Sequence, residues 1–83
     1  MPYERISKAQ KKTVGAKQTA KAVDKGRAKL VLVARDADRH VINPIINACK
    51  EKGIDVVEID NMKKLGKACG IEVRCAVAAV IKE

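Results

Sequence analysis

Residues 29–34 of the chain read KLVLVA, in which Lys29 is followed by a continuous aliphatic run with the length of one β-strand. A strand that is apolar on both faces is typical of an α/β sheet covered by helices on both sides. Outward from this run, further strands are predicted at Thr13 and Val14, at residues 54–59 and at residues 75–81. The sequence therefore predicts a four-stranded sheet with residues 29–34 buried inside it.

Helical spacing of apolar residues marks four segments between these strands: residues 3–12, 16–25, 44–52 and 62–69. The first is expected to pack through Tyr3, Ile6 and Ala9. Asn43 followed by Pro44 has the pattern of an N-cap and a first helical residue. This alternation predicts a three-layer α/β/α sandwich, and a chain of 83 residues has core enough for one domain, residues 1–83.

The charge of the chain points to an anionic partner. Eighteen Lys and Arg against ten Asp and Glu give a formal net charge of +8 on a small surface. Polyanions bind favourably to such a surface, because each phosphate that it neutralises releases condensed counterions. The alternative is a protein that is merely basic. Tyr3 is the only aromatic residue, so single-stranded bases have no aromatic platform to stack on, and a structured nucleic acid is the expected ligand.

Several other classes of protein fit the sequence poorly. No apolar run has the length of a membrane span and the start lacks an apolar signal core, so a cytoplasmic protein without membrane contact is expected. His40, the sole histidine, has no nucleophile and orienting acid nearby, and Asp36 and Asp38 are expected to serve turns and caps. No cofactor or metal motif is present. Three cysteines without CxxC spacing are expected to be reduced core thiols: Cys49, Cys69 and Cys75.

Two features remain as candidate binding residues. The helix that opens at Gly15 carries Lys17, Gln18 and Lys21, and a lysine in the first turn of a helix is unfavourable unless an anion lies there. The second is the loop before the last strand, where β-branched residues are flanked by charge: Ile71, Glu72, Val73 and Arg74. Alternatively, the two lysines form a solvated face, and Ile71 or Val73 simply begins the last strand.

Basic residues before this loop extend the positive surface, either as phosphate contacts or as a solvated helix face: Lys63, Lys64 and Lys67. Gly15 follows the first strand, whereas the loop precedes the last one. These two features share one end of the sheet only if the two strands are antiparallel. A mixed sheet is therefore expected.

Taken together, three segments resemble the L-seven-Ae family of ribosomal and kink-turn RNA-binding proteins, and its small bacterial members in particular. They are GAKQTAKAVDKG at residues 15–26, KLVLVARDAD at residues 29–38 and KKLGKACGIEVRCAVAAVI at residues 63–81. The resemblance covers nearly the whole chain. The last segment is the most specific, because it combines LGKACG with the apolar loop and a strand of small residues.

The resemblance implies that the helix start enters a groove beside tandem sheared G·A pairs, while the loop covers an extruded base. Gly15 then opens the helix, Lys17 and Gln18 stand where the family commonly has Asn-Glu, and Lys21 matches the family lysine. Further positions carried over by the resemblance are the loop residues Ile71, Glu72, Val73 and Arg74 and the turn residues Arg35 and Asp36. Glutamine adds a donor and removes a charge relative to glutamate, which favours binding through phosphates.

The expected function is that of a monomeric, non-enzymatic protein that recognises and stabilises kink-turn RNA of ribosomal or riboswitch type. One alternative is a basic, ribosome-associated structural protein with nonspecific RNA contacts. A nucleotide-binding or thiol enzyme is a third hypothesis, but the chain lacks glycine-rich phosphate motifs and CxxC.

Overall fold

The computed structural model describes residues 2–83 of the chain, and its side chains from Glu4 onward. Helices and strands alternate in the order α1 Pro2–Lys8, β1 Lys11–Val14, α2 Ala16–Asp24, β2 Leu30–Ala34, α3 Arg39–Lys52, β3 Asp55–Ile59, α4 Met62–Ala68 and β4 Val77–Lys82. Ile6 is fully buried, whereas the predicted packing of the Tyr3 side chain lies outside the described residues. None of the helices described is both long and apolar enough to cross a membrane.

The sheet is mixed, as the sequence predicted. Its strand order is β1-β4-β2-β3, in which β4 is antiparallel to both neighbours and β2 is parallel to β3. Helices α1 and α4 contact one face of the sheet and each other, whereas α2 and α3 pack together on the opposite face. These contacts give the predicted three-layer α/β/α sandwich.

The core is centred on β2, which contains the aliphatic residues of the KLVLVA segment. Every residue of β2 is buried, and the neighbouring β4 buries its first four residues against it. The helices cover both faces of the sheet, and each contributes buried side chains. Ile42 of α3 and Leu65 of α4 are both fully buried. A two-sided apolar strand flanked by helices on both faces follows directly from the composition of residues 29–34.

The beginning of the chain departs from the sequence-based expectation. The prediction of a helix over residues 3–12 is wrong in its second half. Helix α1 ends at Lys8, whereas Lys11 and Lys12 belong to β1. Lys11 pairs with Lys82 and Lys12 with Val80 across an irregularity in the register. Pairing with β4 is a tertiary contact that overrides the helical preference of lysine.

The start of α3 also differs from the prediction. Asp38, not Asn43, is the N-cap, and its carboxylate accepts a hydrogen bond of 2.8 Å from the N–H of His40. Pro44 lies inside the helix, where it leaves the carbonyl of His40 without its usual intrahelical donor. His40 is exposed, so that carbonyl lies at a position where water can replace the donor.

Candidate nucleic-acid interface

Four loops meet at one end of the sheet, which we call the loop end: Gly15, residues 35–38, residues 60–61 and residues 70–76. The registers place Val14 beside Ala78, Val33 beside Val77 and Ala34 beside Ile59. The N–H of Gly15 donates to the carbonyl of Val77 at 2.9 Å. The basic helix start and the loop before β4 therefore lie side by side, as an antiparallel β1–β4 pair requires.

Gly15 forms the turn from β1 into α2 at the loop end. Its backbone has φ 98° and ψ 158°, a conformation open almost only to glycine. Because glycine has no side chain, no side-chain cap satisfies the first N–H groups of α2, which have no acceptor within the helix. Lys17 and Gln18 are exposed beside these donors. The start of α2 therefore presents both backbone donors and a cation at the loop end.

Lys21 has a different electrostatic setting from Lys17. It is exposed in the last turn of α2, where the helix dipole favours a cation. Ion pairs among residues 4–83 join Arg5 to Glu83, Arg35 to Glu58 and Lys64 to Asp60. None of these pairs uses Lys17 or Lys21, so both charges are available to an outside anion.

The loop before β4 presents an apolar tip. Val73 has 68% of its surface exposed, which is the largest exposure among the large hydrophobic residues that the structure describes. Ile71 is half-buried and packs against the core, so exposure is confirmed for Val73 and only in part for Ile71. Neither residue begins the last strand, because β4 starts at Val77. An exposed valine beside cations suits contact with the face of a base.

The lysines of α4 divide into two groups. A groove is lined by Lys63 and Lys67 together with Ile71, Glu72, Val73 and Arg74. Lys64 does not line this groove; its Nζ lies 3.2 Å from the Asp60 carboxylate. The structure therefore brings Lys63 and Lys67 to the predicted loop, and it places Lys64 in an exposed i, i+4 ion pair.

Gly66 allows the loop to approach α4 closely, which the sequence analysis did not identify. A Cβ atom on Gly66 would lie 2.1 Å from the carbonyl oxygen of Val73, far inside any real contact. The N–H of Ile71 donates to Gly66 and that of Cys75 to Met62, at 3.0 and 3.1 Å. The backbone of α4 thus holds both sides of the loop. A glycine inside a helix, between Leu65 and Lys67, is the sequence signal from which this approach could have been inferred.

The buried cysteines connect the loop to the Gly15 turn. Cys49, Cys69 and Cys75 are free and buried, as predicted. A hydrogen bond from the Cys69 thiol lowers the pKa of Cys75, against the opposite effect of burial. The Cys75 thiol donates to the carbonyl of Val77 at 3.0 Å, and the same carbonyl accepts from the N–H of Gly15. The hydrogen bond to Cys75, followed by burial, raises the pKa of Cys69. Sulfur contacts therefore link the end of α4, the start of β4 and the turn into α2.

The turn at Arg35 and Asp36 lies at the loop end, but both side chains also make contacts within the protein. Arg35 Nε is 3.1 Å from the Glu58 carboxylate, and the Asp36 carboxylate accepts a hydrogen bond of 2.8 Å from the N–H of Met62. Asn61 is the N-cap of α4, and its side chain accepts from the N–H of Lys64 at 2.8 Å. Asp36 and Asn61 together satisfy two of the first N–H groups of α4.

We expect Asp36→Ala to lower the free energy of unfolding by about 1 kcal/mol, because the N–H of Met62 loses its acceptor. Asp36→Asn keeps an oxygen acceptor and should lose markedly less. Denaturant unfolding measures both changes. Equal stability of Asp36→Ala and the parent chain would show that this bond contributes nothing to the fold.

Features of a catalytic or metal centre are not found at the loop end. His40 is exposed, and Asp36 and Asp38 make turn and capping bonds, as the sequence analysis expected. Within residues 2–83, no group of three or more His, Cys, Asp or Glu side chains is arranged to hold a metal ion. The chemistry that the described residues offer is that of cations, amide groups and one apolar tip.

Comparison with known proteins agrees with this architecture. A curated RNA-binding protein of Geobacillus sp. (strain WCH70) is 46% identical over 82 residues, which are 99% of this chain and all of that protein. An RNA-binding protein of Caldanaerobacter subterraneus is 54% identical over 69 residues, 83% of this chain and 84% of its own length. The solved structure of a 15.5kD RNA-binding protein of Giardia lamblia superposes with a TM-score of 0.84 at 34% identity, covering 98% of this chain and 68% of that one.

Residues 3–83 match the family described as ribosomal protein L7Ae/L30e/S12e/Gadd45, so the match spans nearly the whole chain. The resemblance seen in three sequence segments is thereby confirmed. The chain belongs to the ribosomal protein L7Ae/L30e/S12e/Gadd45 family.

Proposed function

We propose that this protein binds RNA through the loop end and that its preferred ligand is a sharply bent, kink-turn RNA with tandem G·A pairs. The observation that carries the proposal is the hydrogen bond of 2.9 Å from Gly15 to Val77. It joins a helix start with free backbone donors and the cation Lys17 to a loop with an exposed apolar tip. RNA binding is also the activity in the names of the Geobacillus and Giardia relatives.

The residues at the loop end have distinct roles in this proposal. Lys17, Gln18 and Lys21 enter the groove beside the G·A pairs, where lysine and glutamine reach base acceptors or phosphates. Val73 packs on the extruded base, with Ile71 supporting it from below. Flanking residues that contact the RNA backbone or border it are Arg35, Asp36, Lys63, Lys67, Glu72 and Arg74.

Binding acts here as a shift between RNA conformations. A bend crowds phosphates together, and the cations of the loop end favour the bent form by neutralising them. The protein thus biases an equilibrium and transforms nothing. With about four to six phosphate contacts, affinity should fall steeply as salt concentration rises.

The test is a gel shift with a kink-turn oligonucleotide, a version with its G·A pairs changed, and a straight duplex of equal length. The proposal expects at least about tenfold weaker binding to the second and third RNAs. Equal binding to all three would instead favour the alternative, a basic ribosome-associated protein with nonspecific RNA contacts. Binding that does not respond to salt would contradict the phosphate mechanism.

A further inference from the structure

A second basic surface begins beside the loop end and leads away from it. A shallow groove, which we call the α2 groove, lies between α2 and the strands β1 and β4. Its lining includes Thr13, Gln18, Lys21, Lys25, Arg27 and Ile81. Nine residues of α2 span about 13 Å, so the groove follows the side of the molecule from the helix start toward the opposite end of the sheet.

The charge of the α2 groove is uncompensated. Lys21, Lys25 and Arg27 are exposed, and no ion pair found among residues 4–83 includes them. Asp24, the acidic residue of α2, does not line the groove. Lys21 and Lys25, the C-cap of α2, are also like charges four residues apart, a spacing at which they repel each other. The fields of cations that line one groove add together and attract an anion to it.

Positive charge continues at the end of the sheet opposite the loop end. Lys11 opens β1 and lies directly across from Lys82, which closes β4. Like charges in directly opposed positions of antiparallel strands are unfavourable. Lys29 is exposed immediately before β2, the strand next to β4 in the sheet. The α2 groove therefore leads from the cations of the loop end to a second group of cations.

We propose that the α2 groove binds the phosphate backbone of the double-stranded stem that leaves the bend, so that affinity depends on the length of that stem. This inference rests on the proposed function, because the bend fixes where the stem begins. Lys25 and Arg27 lie beyond the residues assigned to the G·A pairs, and they contact phosphates only when the stem is long enough to pass them. Phosphate contacts of this kind add affinity without reading sequence.

Two RNAs test the inference. Both contain the same bend and G·A pairs; one has a stem of about four base pairs closed by a stable loop, and the other a stem of about ten. The variant is Lys25→Gln with Arg27→Gln, which removes two charges from the groove. Its matched control is Lys8→Gln with Lys50→Gln, which removes two exposed charges from α1 and α3 outside the groove.

The parent chain and the control should bind the long-stem RNA about tenfold more tightly than the short-stem RNA. The groove variant should lose this advantage and bind the short-stem RNA like the parent. Its salt dependence on the long stem should fall by about two units in the slope of log affinity against log salt, one for each phosphate contact. Circular dichroism should show all variants folded.

The inference would be overturned if the parent chain bound the long-stem and short-stem RNAs with equal affinity. It would also be overturned if the groove variant lost the same factor of affinity for both RNAs. Versions of both RNAs with changed G·A pairs separate these outcomes from failure of the proposed function. If they bind as tightly as the intact RNAs, the bend is not recognised and the inference falls with the proposed function. If only the intact RNAs bind and stem length has no effect, the proposed function stands and the inference alone is wrong.

Discussion

Gly66→Ala is expected to weaken RNA binding by roughly ten- to hundredfold and to lower the free energy of unfolding by about 1 to 3 kcal/mol. The new Cβ would lie 2.1 Å from the Val73 carbonyl oxygen, and both partners are backbone-fixed. The loop must then move away from α4 by roughly 1 Å or more to restore an ordinary contact. This movement displaces Val73 and Arg74 from the loop end, where the proposed function needs them.

A matched glycine variant separates loop displacement from lost stability. Gly53 ends α3 with φ 69°, and a Cβ there would meet nothing within 4 Å. Gly53→Ala is therefore expected to cost about 1 to 2 kcal/mol through its left-handed backbone, without touching the loop. Denaturant unfolding measures the stabilities, and gel shifts at a temperature where all variants are folded measure RNA affinity. Unchanged affinity in Gly66→Ala would mean that the loop position is unimportant for binding.

The sequence predicted the sheet well because its signals there are local and strong. A run such as residues 29–34 has few alternatives to a buried strand, and Gly26, Gly53 and Asn61 mark helix ends through backbone conformation and capping. The mixed topology followed from a functional argument, since Gly15 and the loop before β4 share one end only in an antiparallel arrangement. The hydrogen bond from Gly15 to Val77 confirms that reasoning.

The errors occurred where two local signals competed or where tertiary pairing decided. Asp38 and Asn43 are both good N-caps, and the sequence alone favoured Asn43 because Pro44 follows it. In the structure the helix begins at Arg39, with Asp38 as its N-cap, and continues through Pro44. Lys11 and Lys12 carry no strand signal of their own, and their conformation depends on the distant strand β4.

The candidate interface was predictable as a set of residues but not as a geometry. Lys17, Gln18 and Lys21 were identified from the pattern of charge at a helix start, and Val73 from β-branched residues flanked by charge. The division between Lys64, which pairs with Asp60, and the groove-lining Lys63 and Lys67 depends on side-chain placement. The close approach at Gly66 depends on the position of a carbonyl seven residues away. Such contacts have no counterpart in hydrophobic periodicity.

Lys21→Ala is expected to weaken binding to kink-turn RNA by about 1 to 3 kcal/mol, which corresponds to roughly five- to 150-fold in affinity. The structure makes this loss easy to interpret. Lys21 gains from the helix dipole in the last turn of α2, but it is repelled by Lys17 and Lys25 one turn away on either side. These effects are of similar size and opposite sign, so the substitution should leave the free energy of unfolding nearly unchanged.

Lys50→Ala is the matched control, because Lys50 is also exposed in the last turn of a helix, α3, and lies outside the loop end. It removes the same charge and should lower affinity only slightly, through the weaker overall field of the protein. Gel shifts at two salt concentrations measure both variants. If Lys21 contacts a base, its loss persists at high salt and is smaller on RNA whose G·A pairs are changed. Equal losses of affinity for Lys21→Ala and Lys50→Ala would show that Lys21 acts only through the overall charge of the protein. Lys21 would then not contact the groove beside the G·A pairs.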